Sequence, residues 1–201
     1  MKSKVFKNKK IVIASHNKGK IKEIRDLLEP LDIDIFSSAD FDLQEPVEDG
    51  FSFEENALIK SSYVSKMTRI PSLSDDSGIC FTDLNNEPGI YSARYNGASS
   101  SFESKMLKLL ATLKNQHERD AFFVCVLAFV KNDLDPLPRF YEGFWYGQIA
   151  NEIKGEHGFG YDPIFFDPEY QLCVGEMASD QKLKLSHRAK ATRAFIDDWQ
   201  I

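Results

Sequence analysis

The sequence predicts an α/β protein built on one mixed β-sheet. Short apolar runs that suit buried strands alternate along the chain with segments whose apolar residues recur at helical spacing. Two β-rich segments late in the chain are joined by a turn at residues 133–136, so these two strands should pair antiparallel. The 201 residues contain no repeat, no low-complexity tract and no long linker, which predicts a single domain over residues 1–201.

The first part of the chain opens with a strand, a helix and a second strand. Residues 11–14 form a short apolar run typical of a strand that is buried on both faces. Apolar residues at helical spacing over 21–28 predict a helix that ends at Pro30. Residues 33–36 indicate the second strand.

A longer helix and the next strand region follow. Residues 52–55 (SFEE) form an N-terminal capping box, and the helix that they open should run to about residue 66. Residues 70–81 should then be extended. The residues that the helix should bury are Ala57, Val64 and Met67.

The second half of the chain repeats the alternation. Residues 100–103 should open a helix, residues 121–130 are almost wholly apolar and predict a central strand, and residues 139–149 predict its partner. Residues 155–162 contain three glycines and should form a loop, before a final helix over residues 186–199. The core stripe of the helix after residue 100 should be Met106, Leu109, Leu110 and Leu113.

Composition and charge limit the classes of partner and compartment. The net charge of −6 argues against non-specific binding to nucleic acid, because that affinity comes from neutralising phosphates with Lys and Arg. The three cysteines are widely spaced without a CxxC pair, which favours a reducing cytoplasm over a disulfide scaffold or a zinc site. The basic start, residues 1–10, leads into apolar or small residues only over 11–15, too few for a signal-peptide core or a membrane span.

Two adjacent carboxylates, Asp75 and Asp76, stand after an apolar approach and before a Ser-Gly pair. Like charges side by side repel, and a protein usually keeps such a pair where a cation or a proton separates them. Mg²⁺ takes oxygen ligands and usually binds through one or two carboxylates together with substrate phosphates. The pair is therefore a candidate Mg²⁺ site, and the alternative is a solvated turn between two strands.

Two further segments could contact phosphates. Residues 15–20 (SHNKGK) stand where a strand ends and a helix begins, a junction that presents free N–H groups and the positive end of a helix dipole. They lack the spacing of a P-loop, and ordinary helix capping by Asn17 is the alternative. Asn56 and Lys60 stand four residues apart and share one face of the capped helix, for which the alternative is a solvated polar face.

Two segments late in the chain could recognise a nucleobase. Residues 158–163 (GFGYDP) place aromatic rings between glycines and an acid, so a flat ring can approach the backbone and stack; the alternative is a loop whose aromatics return to the core. Residues 182–188 end in a His-Arg pair, and the guanidinium of Arg188 offers a rigid fork of donors to a carbonyl oxygen. The alternative for this second segment is an exposed helix start.

Taken together, these segments resemble the inosine triphosphate pyrophosphatase family, which acts on non-standard purine nucleoside triphosphates. The resemblance covers nearly the whole chain, in order and at the expected separations. The matching segments are residues 15–20, 53–60, 74–78, 88–95, 158–165 and 186–191.

The resemblance implies an elongated α/β fold of two lobes, with a long mixed sheet flanked by helices and the active-site cleft between the lobes. It implies a homodimer that requires Mg²⁺, and the composition adds the expectation of a cytoplasmic protein with neither nucleic acid nor membrane as a partner. The reaction would hydrolyse the α–β phosphoanhydride of ITP, dITP or XTP and release a nucleoside monophosphate and pyrophosphate.

The resemblance also implies roles for individual residues. Asp76 would be the general base and a metal ligand, with Asp75 beside it and Glu48 as the other metal-binding carboxylate. Whether Asp76 accepts a proton or only orients the attacking water stays open. The residues predicted to bind the phosphates, the base or the adjoining parts of the substrate are Ser15, His16, Asn17, Lys18, Gly19, Lys20, Asn56, Lys60, Ser77, Phe159, Gly160, Tyr161, Asp162, Lys182, His187 and Arg188.

One residue departs from the family pattern. The family usually has Thr-Gly-Asn where this chain has Ser15-His16-Asn17, and a histidine adds bulk and disfavours a positive φ angle. The phosphate loop should therefore differ in shape, or His16 should add a donor.

Two rival functions remain at the level of the sequence. One is the septum-formation-inhibitor type of nucleotide pyrophosphatase, against which the His187-Arg188 pair and the residue 158–162 motif weigh. The other is a non-catalytic nucleotide sensor, which could lose the metal carboxylates. The residues that weigh against it are Glu48, Asp75, Asp76 and Lys60.

Overall fold

The computed structural model describes residues 10–114 and 118–199. The predicted basic start therefore lies outside the described residues except for Lys10. The strands are β1 (Lys10–Ala14), β2 (Asp34–Ser37), β3 (Ser72–Phe81), β4 (Asp120–Val130), β5 (Arg139–Ile149), β6 (Phe165–Asp167) and β7 (Leu172–Cys173). The α-helices are α1 (Lys18–Leu28), α2 (Phe53–Thr68), α3 (Phe102–Thr112), α4 (Ser179–Leu185) and α5 (His187–Trp199).

The seven strands form one mixed sheet in the order β2-β1-β3-β4-β5-β6-β7. β1 pairs in parallel with both β2 and β3, whereas β6 pairs antiparallel with both β5 and β7. The α/β class and the mixed sheet are confirmed. Within the described residues, no helix has an apolar stretch long enough to cross a membrane.

The described chain divides into two compact units, and β3, β4 and β5 each contribute to both. The first unit comprises residues 10–76, 125–143 and 187–199, and the second comprises residues 77–114, 118–124 and 144–186. Each unit has its own apolar core. The core of the first includes Ile11, Ile24, Leu28, Leu127, Phe129 and Phe195, and that of the second includes Ile79, Phe81, Leu109, Trp145, Ile164 and Phe165.

Most predicted elements are present, with small shifts at their ends. α2 begins after the predicted cap Ser52 and buries Ala57 and Val64, but it continues to Thr68 and leaves Met67 55% exposed. The prediction that Met67 is buried was wrong, because this residue lies in the last turn, where the helix closes at Arg69 in the left-handed conformation (φ 59°). In α3, Met106 and Leu109 are buried as predicted.

Short elements were not predicted because they contain too few residues to show the repeating apolar pattern of a strand or helix. β6 and β7 contain three and two residues, and α4 contains seven. α4 and α5 are separated at Ser186, whose backbone is extended (φ −62°, ψ 155°).

One surface ion cluster of the first unit yields a stability prediction. The Tyr141 hydroxyl and the Arg139 guanidinium both donate to the carboxylate of Asp198, and the Tyr141 hydrogen bond, followed by Arg139, lowers the pKa of that carboxyl. A lowered pKa in the folded state stabilises the fold above the unfolded-state pKa, and this contribution is lost as pH falls through the folded-state pKa.

Asp198→Asn is therefore expected to lower the free energy of unfolding at neutral pH by about 0.5–1 kcal/mol, a modest value because the pair is partly exposed. The difference from wild type should shrink at an acid pH below the lowered folded-state pKa, because the Asp198 carboxyl is then protonated in both the folded and the unfolded state. Urea unfolding at the two pH values measures it, with Asp197→Asn as the control. An equal difference at both pH values would show that charge is not the cause.

Candidate active site

The two adjacent aspartates lie inside a strand and not in a turn. Asp75 and Asp76 belong to the middle of β3, where they are 1% and 6% exposed. Successive side chains of a strand point to opposite faces, so the two carboxylates are directed apart. The alternative of a solvated turn is wrong, because buried carboxylates need charged or hydrogen-bonding partners.

Asp75 is held between two cations of the first unit. Lys20 Nζ lies 2.6 Å from Oδ1, and Arg188 Nε donates to Oδ2 at 2.6 Å. Cys125 Sγ donates to the same Oδ2 at 3.2 Å. Burial alone would raise the pKa of Asp75, but the charges of Arg188 and Lys20 outweigh it and hold that pKa well below its usual range.

Asp76 has a different cation. Lys60 Nζ donates to Asp76 Oδ1 at 2.6 Å and lies 3.2 Å from Glu48 Oε1, so one ammonium joins two carboxylates. Burial raises the pKa of Asp76, against the opposing charge of Lys60. Burial would lower the pKa of Lys60, but the neighbouring carboxylates Asp76 and Glu48 outweigh it and raise that pKa.

Helix α2 brings Lys60 and Asn56 to this cluster. The Ser52 hydroxyl caps the helix by accepting from the Glu55 N–H at 3.2 Å, and the Ser74 hydroxyl of β3 donates to the Ala57 carbonyl at 2.6 Å. Both Asn56 and Lys60 are buried, so the alternative of a solvated polar face is wrong. Asn56 Oδ1 accepts from the Gly50 N–H at 3.0 Å, and its Nδ2 is buried without a hydrogen-bond partner in the described residues.

The junction of β1 and α1 is a capped helix start. Asn17 Oδ1 accepts from the N–H groups of Gly19 and Lys20 at 2.9 and 3.1 Å, and the Ser15 hydroxyl accepts from the Asn17 N–H at 3.1 Å. Helix capping, the alternative named above, is therefore present, and a phosphate contact of residues 15–20 stays a prediction. Lys18 is exposed at the first helical position.

The start of α5 explains how Arg188 reaches Asp75. Gly143 of β5 lies against the His187 carbonyl, and a Cβ added to Gly143 would come within 2.0 Å of that oxygen. The helix start can therefore approach the strand only at a glycine. Arg188 is 2% exposed, and its Nη1 donates to Glu23 Oε2 of α1 at 2.6 Å.

Four predicted base-binding residues lie in the second unit. Phe159, Tyr161 and Asp162 belong to the loop before Pro163, and Lys182 belongs to α4. Lys182 Nζ donates to Asp162 Oδ2 at 2.6 Å and lies 4.3 Å from the centre of the Phe159 ring. The Phe159 N–H donates to the same Oδ2 at 2.8 Å, and the Tyr161 hydroxyl donates to the Ser92 carbonyl at 2.9 Å. Tyr161, Asp162 and Lys182 are buried, whereas Phe159 is half-buried.

Backbone conformation shapes this loop. Gly158 and Gly160 have φ angles of +77° and +68°, which favour glycine. A Cβ added to Gly158 would also come within 2.0 Å of Asp162 Oδ2. The structure thus groups Phe159, Tyr161, Asp162 and Lys182 in the second unit, while His187 and Arg188 belong to the first.

Comparison with known proteins identifies the family. A sequence model of the Ham1 family matches residues 11–198. This chain belongs to the Ham1 family. The dITP/XTP pyrophosphatase of Acinetobacter baylyi is 43% identical to it over 191 residues, which cover 92% of this chain and 91% of the relative. These findings confirm the resemblance drawn from the sequence segments.

Solved structures of Ham1 proteins share the fold. The Ham1 protein from Coxiella burnetii matches this structure with a TM-score of 0.89 at 38% identity, covering 94% of this chain and 98% of that chain. The Staphylococcus aureus Ham1 protein matches with a TM-score of 0.84 at 38% identity, covering 94% and 99%.

Two residues that contact Asp75 or its partner Arg188 were not among those predicted from the sequence of this Ham1-family chain. Glu23 contacts Arg188, and Cys125 contacts Asp75. Glu23 lies three residues after Lys20 on α1, and this spacing places the two side chains on the same face of the helix. Nothing in the apolar run around Cys125 distinguishes this residue from core residues.

The donor set fits a divalent cation held by two carboxylates. Among residues 10–114 and 118–199, no three or more His, Cys, Asp or Glu side chains are grouped so that they could hold a metal ion. Oxygens of Glu48 and Asp76 both contact the same cationic atom, Lys60 Nζ. Such a pair of carboxylates suits Mg²⁺, which usually completes its coordination with water and substrate phosphates. Both oxygens of Asp75 contact Lys20 or Arg188, and its role as a metal ligand stays a prediction.

Proposed function

We propose that this chain hydrolyses ITP, dITP and XTP to the nucleoside monophosphate and pyrophosphate. The observation that carries the proposal is the buried cluster in which Lys60 contacts both Asp76 and Glu48. Phosphoryl transfer depends on charge neutralisation and positioning, which Lys60 and a divalent cation held by the two carboxylates would supply. The substrate class is supported by family membership and by the name of the Acinetobacter baylyi relative, a dITP/XTP pyrophosphatase.

We assign Mg²⁺ to Glu48 and Asp76. When bound, it would offset negative charge on the phosphates of the substrate. Asp75 is assigned a different task, because Lys20 and Arg188 contact both of its oxygens. In this account Asp75 fixes the positions of these two cations, and Lys20 supplies positive charge to the phosphates.

We assign the attacking water to Asp76. Its Oδ1 accepts from Lys60, and Oδ2 accepts a hydrogen bond from the water and directs it toward the α-phosphorus. As the bond between the water oxygen and the α-phosphorus forms, the bond to the bridging oxygen of the β-phosphate breaks. Pyrophosphate leaves, and the proton of the water passes to Asp76.

Base recognition is assigned to the cluster of Phe159, Asp162 and Lys182. The half-buried Phe159 ring offers a stacking surface, with the Lys182 ammonium 4.3 Å from its centre. Hypoxanthine and xanthine carry a carbonyl at C6, which accepts from a cationic donor, whereas adenine carries an amino group there. A donor facing a donor leaves buried polar groups unpaired, which can be worth a factor of about 10⁴ in discrimination.

We further propose that residues 1–201 act as one catalytic domain in a cytoplasmic homodimer. The cysteines Cys80, Cys125 and Cys173 are free and buried, which suits a reducing compartment. The net charge of −6 supports a small nucleotide as the partner, in preference to nucleic acid. The homodimer follows from the family resemblance, and sedimentation at micromolar concentration tests it.

A nucleotide panel tests the proposed function. Purified enzyme with Mg²⁺ is given ITP, dITP, XTP, GTP, ATP and CTP, and release of pyrophosphate and of orthophosphate is measured separately. We expect pyrophosphate release with kcat/KM at least about 100-fold higher for ITP, dITP and XTP than for ATP. Orthophosphate as the product, equal rates for all nucleotides, or binding without turnover would each contradict the proposal.

Lys60 yields a prediction about phosphate binding. Lys60→Met keeps the apolar stem and removes the charge, so the Kd for a non-hydrolysable α,β-imido analogue of ITP should rise about 10-fold or more. The Kd for inosine, which carries no phosphate, should change little. Calorimetry measures both, and Lys66→Met, an exposed change on the same helix, is the control. Equal losses for the two ligands would make Lys60 a structural residue.

A further inference from the structure

The segment that carries Glu48 has no regular secondary structure. Residues 42–50 (DLQEPVEDG), here called the acidic segment, run between a short 3₁₀ helix and the cap of α2. The Leu43 N–H donates to the Ser38 carbonyl at 3.2 Å, and the Gly50 N–H donates to Asn56 Oδ1 at 3.0 Å. Between these two ends, an irregular and strongly acidic stretch must place Glu48 within 3.2 Å of Lys60.

The His16 ring lies against the acidic segment and hydrogen-bonds to it through one nitrogen. Nε2 lies 2.8 Å from the Leu43 carbonyl oxygen and donates to it when it carries the proton. Nδ1 lies 3.3 Å from Glu45 Oε1 and has no hydrogen-bond partner among the described residues. The hydrogen bond of the ring is therefore made to this segment through Nε2, although the sequence predicts substrate binding for His16.

His16 is itself held in place by ordered neighbours. It lies two residues after the end of β1 and precedes Asn17, whose side chain caps α1. Lys20, in the first turn of that helix, is held by Asp75. The backbone of His16 thus connects β1 to the helix that carries Lys20, the partner of Asp75.

We propose that His16 is a positioning residue that holds the acidic segment, and through it Glu48, beside Lys60 and Asp76. Pro46 follows Glu45 directly, and its fixed φ angle restricts the short connection to Glu48. The hydrogen bond from His16 to Leu43 offsets part of the backbone entropy that is lost when the segment is ordered. The consequence for catalysis rests on the proposed function of Glu48.

Hydrogen exchange of the full chain without nucleotide tests the inference directly. In His16→Gly, amide exchange in residues 42–50 should rise about 10-fold, with the exchange of α2 and the melting temperature nearly unchanged. His16→Gln keeps a donor near the position of Nε2 and should restore most of the protection. Gln44→Ala, an exposed change within the acidic segment, is the control and should leave exchange elsewhere in the segment as in wild type.

Kinetics separate positioning from substrate binding. His16→Gly should lower kcat for ITP about 10-fold with less than about a threefold change in KM, because a positioned group is lost and not a ligand contact. Unchanged exchange in residues 42–50 would overturn the proposal, and a raised KM with unchanged kcat and exchange would make His16 a substrate-binding residue. The exchange result does not depend on turnover, so an inactive wild-type protein would refute the proposed function alone.

Discussion

Asp76→Asn is expected to lower kcat for ITP by about 100-fold or more, because it removes the charge that joins metal binding to water activation. The amide has nearly the same size, and Lys60 retains Glu48 as a carboxylate partner, so the protein should still fold. Pyrophosphate release under saturating ITP and Mg²⁺ measures the loss, and circular dichroism checks the fold.

Asp83→Asn serves as the matched control. Asp83 is exposed in the second unit and has no proposed role, so this variant should retain wild-type turnover. Near-normal activity of Asp76→Asn would remove Asp76 from the catalytic role, and the water would then need another acceptor.

Arg188→Ala is expected to destabilise the fold by about 3–5 kcal/mol, because it leaves buried Asp75 without one of its two cations. The guanidinium is 2% exposed and contacts both Asp75 and Glu23 at 2.6 Å. Urea unfolding followed by fluorescence measures the change. Arg193→Ala, an exposed arginine on the same helix, should change stability by less than about 0.5 kcal/mol.

Arg188→Lys tests the same residue in a folded protein. Lysine keeps the positive charge but lacks the guanidinium whose separate N–H groups reach Asp75 and Glu23. Stability should therefore lie between those of wild type and Arg188→Ala. If Arg188 also contacts the purine C6 carbonyl, as the sequence predicts, kcat/KM for ITP should fall further than that for ATP. An equal loss for both substrates would assign Arg188 to positioning Asp75 alone. A stability loss no larger than that of Arg193→Ala would contradict the buried ion pair.

The strands and long helices could be predicted because their signals are local. The apolar run of β4, the Ser52 cap of α2 and the helical spacing in α1 each lie within one segment of the sequence. The end of α2 was less predictable, since the exposure of Met67 depends on where the chain turns away at Arg69. β7, with two residues, has no period to detect.

The partners of the charged residues could not be predicted from local patterns. Arg188 stands 113 residues from Asp75 and 165 residues from Glu23, and only the folded sheet and helices bring them together. The helical spacing of Asn56 and Lys60 correctly indicated a shared face. Their burial depends on Ser74 and Asp76 of β3, which helical spacing does not report.

Hydrolysis of ITP in ¹⁸O-labelled water tests the central claim most directly. If the site directs water at the α-phosphorus, one ¹⁸O atom enters the inosine monophosphate and the released pyrophosphate carries none. ³¹P NMR resolves the two products and the isotope shift in each. Label in the pyrophosphate, or release of orthophosphate with inosine diphosphate, would contradict the account.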